Sequence, residues 1–122
     1  MPSSSSSCSS PPTFQVLDVA HSLVPLLREP LQRLARRDRS LADQLYRAVS
    51  SVPLNIAEGN RRSGRDRQHL WRVAAGSADE VRAALRVAIA WGHVRPADVA
   101  PALEACDRVL AMPWRLTEAR AA

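Results

Sequence analysis

The chain has 122 residues and no lysine: its 17 basic side chains are all arginines, set against 12 acids for a formal net charge of +5. That length makes one domain able to bury a core of its own, and no apolar run approaches the ~20 residues of a membrane span. There is no secretory signal at the N-terminus, and two cysteines, Cys8 and Cys106, make no disulfide framework, so the expectation is a soluble, cytoplasmic protein with free thiols.

Residues 1–12 are Ser- and Pro-rich and offer nothing to bury, so a disordered tail is expected there, with Thr13 as the cap of the first helix. From Phe14 to Arg36, Phe14, Leu17, His21, Val24, Leu27, Leu31 and Leu34 recur at helical spacing. Pro25 and Pro30 interrupt that face. Each removes a backbone donor and crowds the carbonyl four residues back, which predicts a kink or two shorter helices end to end. A second helix starts at a cap on Asp38 or Ser40. It presents Leu41, Leu45, Ala48, Val49, Val52 and Ile56, and stops at Gly59-Asn60. Pro53 lies within it and frees the carbonyl of Val49, which Ser50 and Ser51 are placed to serve; a kinked but continuous helix follows.

After the basic connector at 61–64, a third helix runs from about Arg65 to Trp91 with Leu70, Ala74, Ser77, Ala78, Val81, Leu85, Ala88 and Ile89 on one face, and Gly92 closes it. The fourth begins after Pro96 and reaches about Glu118. Its face is Val99, Leu103, Cys106, Leu110 and Trp114, with Pro101 near its first turn and Pro113 near its end. Four amphipathic segments with short loops predict an all-α, antiparallel up-down-up-down four-helix bundle over 13–119, with 120–122 as a C-terminal end.

Two runs break ordinary helix rules. The first, Val52 to Asn60, contains Pro53, Asn55, Glu58 and Gly59; the second, Ala74 to Glu80, contains Gly76, Ser77 and Glu80. Proline and glycine inside helices cost about 3 and 1 kcal/mol relative to alanine, so their presence points to a specific helix–helix contact. Asn55 and Glu58 share a face and read as a polar network at the helix end, with Arg61 or Arg62 available to Glu58. A catalytic role for Glu58 is the weaker alternative, because nothing nearby supplies a nucleophile or second acid. Small residues at Gly76-Ser77 predict close backbone approach, with Ser77 donating back to the carbonyl of Val73. A bulky residue at 76 should then disrupt the bundle. His21, His69 and His93 have no partner at ligand spacing, so neither a metal nor another cofactor is expected.

The charge is uneven. Residues 28–72 hold eleven arginines against five acids, for +6, and the remainder carries −1. Arg61, Arg62, Arg65, Arg67 and Arg72, with Trp71 beside them, combine guanidinium forks with a stacking aromatic, a pattern that fits contact with RNA or DNA. Arg33, Arg36, Arg37 and Arg39 are a second group, which an antiparallel bundle places at the opposite end.

The two motif runs resemble those of the bacterial four helix bundle protein family, which includes proteins encoded in ribosomal-RNA intervening sequences. The chain is also similar to the accessory variability-determinant protein of diversity-generating retroelements. The likeness spans roughly residues 14–118. Pro53, Asn55, Glu58 and Gly59 match the first motif; Ala74, Gly76, Ser77 and Glu80 match the second. Gly92-His93 stands where the family usually has Gly-Tyr, and Pro25 and Pro30 are atypical of its first helix. The resemblance implies an up-down bundle assembled as a homopentamer. The retroelement relative binds nucleic acid and a reverse transcriptase. The expected protein is thus a non-enzymatic homo-oligomer contacting nucleic acid through arginines. The alternative is an interaction module for a polypeptide such as a reverse transcriptase or a ribosomal factor.

Overall fold

The structure, a computed structural model, describes residues 12–111, and these form four helices: α1 (Pro12–Arg37), α2 (Arg39–Asn60), α3 (Gly64–Trp91) and α4 (Pro96–Ala111). The N-terminal tail with Cys8, the side chain of Phe14, and the expected end of the fourth helix with Pro113, Trp114 and Glu118 lie outside what is described. With connections this short, successive helices turn back on one another. Contacts run α1 to α2, α2 to α3, α3 to α4 and α4 to α1, which closes the ring of an all-α four-helix bundle.

α1 starts at Pro12, so Thr13 lies within its first turn and not at the cap; proline with its fixed φ suits the first helical position. Pro25 and Pro30 both lie within this one helix, which does not split into two. The carbonyl freed by Pro25 is that of His21, a residue on the solvent side where water can serve it. The buried stripe is also rotated from the expected one. Val16, Val19, Ala20, Leu23, Leu27 and Leu34 form the core face, whereas His21 and Val24 are exposed and Leu17 and Leu31 are half-buried. Apolar residues cover so much of this helix that two stripes share the same spacing, and only the observed one leaves His21 in water.

The remaining elements follow the expected pattern more closely. Asp38 caps α2, its carboxylate accepting from the Leu41 amide at 3.0 Å. Gly92 ends α3 in the left-handed region at φ 78°, and the amides of Gly92 and His93 bond back to the carbonyls of Ile89 and Ala88; this is the glycine C-terminal motif that only a residue without Cβ adopts freely. In α4 the buried face is Val99, Ala102, Ala105, Cys106 and Val109, with Leu103 and Leu110 on its flanks. Arg82 ties α3 to α4 by donating to Asp107 at 2.8 Å while also pairing with Asp79.

Candidate nucleic-acid interface

The arginine-rich run begins where α2 ends. Gly59 is buried within the last turn of α2 and has no left-handed backbone. Its missing side chain has a different cause from the helix stop expected of it. A Cβ there would stand 2.7 Å from both Cδ1 and Nε1 of Trp71, and 3.4 Å from the Arg67 carbonyl. Glycine is required because the Trp71 ring occupies that volume.

Trp71 is therefore not a platform for bases. Its ring is 3 % exposed, packed under Gly59, with the Arg67 guanidinium carbon 5.5 Å from the ring centroid. Arg67 also donates through Nε to the Gly59 carbonyl at 3.2 Å. This arginine is a clasp joining α3 to the end of α2, and its guanidinium is engaged within the protein. Arg62 is likewise occupied: it pairs with Glu58 at 2.9 Å and approaches Asp66 at 3.8 Å. Arg61 and Arg65 project into solvent with no carboxylate partner among the described residues, and Arg72 is exposed. Of the expected surface, Arg61 and Arg65 remain as the accessible cationic pair at this end.

The polar residues of the two motifs separate into different jobs. Asn55 donates from Nδ2 to the Ser51 carbonyl at 2.9 Å and to Ser51 Oγ at 2.8 Å. Ser77, the one buried polar side chain among those described, donates across the interface to the same Ser51 Oγ at 2.8 Å, and not back to the Val73 carbonyl. Ser51 is thus the hub of a clasp between α2 and α3, and Asn55 does not meet Glu58. Among the described residues the partner of Glu58 is Arg62, at 2.9 Å. Pro53 is buried between Ser51 and Asn55, within the turn that carries this clasp.

Gly76 overturns the expectation of close packing inside the bundle. It is exposed, and an added Cβ would meet nothing within 4 Å. Glu80, four residues on, is exposed too. The sequence motif mixed two surfaces: Ser77 points to α2, while Gly76 and Glu80 point out.

The second arginine group sits at the other end, where the α1–α2 and α3–α4 connections meet. Arg33, Arg36, Arg37 and Arg95 line a cavity of about 390 Å³ together with Gly92, His93, Val94 and Asp98. Asp98 holds Arg95 at 3.5 Å and Arg33 at 3.7 Å. Arg39 faces elsewhere and approaches Asp43 at 3.8 Å. Arg95 was not expected in this group, and neither was Trp91, which is 69 % exposed and stacked on His93 with ring centroids 6.3 Å apart at 19°. An aromatic at the last helical position, directly before Gly92-His93 and an arginine, is the signal that identifies them.

Other chemistry is sparse. Burial, then the neighbouring Asp107, pushes the Cys106 thiol up to about 12, which keeps it protonated and unreactive. Among the described residues no group of three His, Cys, Asp or Glu stands where it could hold a metal, and no helix is long and apolar enough to cross a membrane.

Compared with known proteins, residues 13–114 match the family described as 23S rRNA-intervening sequence protein. No curated protein and no solved structure matches the chain.

Proposed function

The chain belongs to the 23S rRNA-intervening sequence protein family, and from that premise we propose that it is a non-enzymatic, self-associating helical bundle that contacts RNA or DNA through its arginine-rich surface. The observation that carries this reading is the +6 concentrated in residues 28–72, part of which, Arg61 and Arg65, stands in solvent with no carboxylate partner among the described residues. Guanidinium groups with no carboxylate to satisfy them suit phosphate. The family's description names 23S rRNA, which makes RNA the first probe, and a cytoplasmic setting goes with it.

Self-association supplies the strength that so few contacts lack. On α3, Val73, Gly76, Glu80, Ala83, Val87 and Ala90 are all exposed and alternate three- and four-residue steps, the spacing of a seam between helices. Its low relief, lowest at Gly76, is shaped for another helix to approach. A second copy seated there, repeated into a ring, multiplies a weak phosphate contact by avidity. The homopentamer that the resemblance implies has a mass of about 67 kDa, five times the 13.4 kDa chain, and light scattering in solution checks it. A mass of one chain removes this part of the reading.

Binding is tested with single-stranded RNA across a salt series. Affinity should fall steeply as salt rises, and replacing the two unpaired arginines Arg61 and Arg65 together by alanine should flatten the slope of log K against log salt by about 1.4, from roughly 0.7 per phosphate contact on a single strand. Salt-independent binding would rule out phosphate contacts. A polypeptide partner is the second reading. It is favoured by an apolar groove between α1 and α2, lined by Val24, Leu31, Tyr46 and Val49.

A further inference from the structure

The cavity at the α1–α2 and α3–α4 end has three features that belong together. Its lining is cationic: Arg33, Arg36, Arg37 and Arg95 against Asp98 alone. Asp98 approaches Arg33 at 3.7 Å and Arg95 at 3.5 Å, which draws those two guanidinium groups to the same carboxylate. Arg36 and Arg37 have no carboxylate partner among the described residues and stay in solvent. At about 390 Å³ the space falls in the ordinary range of small-ligand sites, about 300–1,000 Å³. Four arginines around a recess exclude an apolar occupant and favour phosphate oxygens, which a guanidinium fork grips in bidentate fashion.

The second feature is aromatic. Trp91 immediately precedes Gly92 of the cavity wall. One face of its ring lies on His93, which itself lines the cavity, and most of the ring remains in water. A large indole left in solvent beside a cationic recess offers a nucleobase a stacking surface. His93 makes the third. Its Nε2 is 3.9 Å from Asp38 Oδ2, while its Nδ1 is buried with no hydrogen-bond partner among the described residues. The ring that backs Trp91 thus lies beside a carboxylate, and one of its polar atoms is left without a partner among the described residues.

The geometry points to a nucleotide-binding subsite at this end: a base stacked on the open face of Trp91, with its phosphate held in the cavity by Arg36 and Arg37 beside Arg33 and Arg95. The assignment rests on the reading of the protein as an RNA-contacting bundle, and it moves the specific contact to the end opposite Arg61 and Arg65. α2 alone separates the two ends by roughly 30 Å, at 1.5 Å per residue. The ligand chemistry is a base joined to phosphate, within an RNA strand or as a free nucleotide.

The test measures binding of a labelled single-stranded RNA of about ten nucleotides, within the usual range of site sizes, by fluorescence anisotropy. In parallel, ATP is titrated while tryptophan emission is followed. Trp91→Ala should raise the Kd for RNA by about 5- to 100-fold, the loss of one stacked base, and Trp91→Phe should restore most of it. Arg36→Ala with Arg37→Ala should lower the salt slope by about 1.4. All three positions are exposed, so thermal melting should be unchanged. If these variants bind RNA like the wild type while Arg61→Ala with Arg65→Ala binds weakly, the subsite is wrong and the broader reading survives. Binding of ATP that Trp91→Ala abolishes, with no binding of RNA, supports the subsite as one for a free nucleotide and overturns the RNA reading. If neither probe binds, both fall.

Discussion

Gly59→Ala should lower the melting temperature of the bundle by up to about 10 °C, and Gly76→Ala should raise it by about 3–6 °C. Both glycines lie inside helices, where alanine is ordinarily better by about 1 kcal/mol, so propensity alone predicts two gains. Packing reverses the sign at one of them. A methyl group at 59 would sit 2.7 Å from two atoms of the Trp71 ring. That ring is buried and overlaid by Arg67, and it cannot swing aside as the tip of a long side chain would. Overpacking of this kind costs about 1–3 kcal/mol even after some relaxation. At 76 the methyl group meets nothing, and the helix keeps the full gain of reduced backbone freedom in the unfolded chain. The measurement is thermal unfolding followed by circular dichroism, at a dilution where both variants have the wild-type mass. Shifts of the same sign at the two positions would refute the assignment of separate roles. Gly76→Leu sharpens the contrast: it should leave the protomer folded and change only the mass of the assembly.

These two glycines also show where the sequence was legible and where it was not. Helix number, the Asp38 cap, the Gly92 stop and the buried faces of α2 and α3 follow from local pattern, because each depends on residues within a turn or two of one another. Gly76 and Gly59 look alike in sequence, each an unfavourable residue in an amphipathic helix. Their difference is tertiary, since one lies against a tryptophan twelve residues ahead and the other against nothing within the protomer. Part of the candidate site was hidden for the same reason. Arg67 and Trp71 have the composition of a nucleic-acid contact, yet they spend their cation and their ring on each other and on Gly59. His93 and Arg95 lie far in sequence from Arg36 and Arg37 and come to line one cavity with them only when the bundle closes. The stripe of α1 was ambiguous on different grounds. Periodicity fixes the repeat of an apolar face but not its phase when apolar residues surround the helix.

The clasp between α2 and α3 leads to a second large effect, and one that is not additive. Ser51 Oγ accepts from both Asn55 and Ser77 at 2.8 Å. Ser77→Ala removes one donor and leaves Ser51 still bonded to Asn55, a loss of about 1 kcal/mol, the net worth of an ordinary hydrogen bond. Ser51→Ala does more harm, because it strands the buried Ser77 hydroxyl with its desolvation uncompensated, at about 1–3 kcal/mol. The double variant strands nothing on Ser77 and replaces the pair by two methyl groups, so it should be no less stable than Ser51→Ala alone. Chemical denaturation of the wild type, both single variants and the double variant closes the cycle, with an expected coupling of about 1 kcal/mol. Effects that add to within about 0.3–0.5 kcal/mol would mean the two hydroxyls act independently. The same cycle between Glu58→Gln and Ser77→Ala should show no coupling, because Glu58 is engaged by Arg62 and the clasp does not include it. The motif that links these residues in sequence is therefore two devices. One, through Ser51, Asn55 and Ser77, sets how α2 lies on α3. The other, through Gly59, Arg67 and Trp71, fixes the end of α2 from which Arg61 and Arg65 reach into solvent.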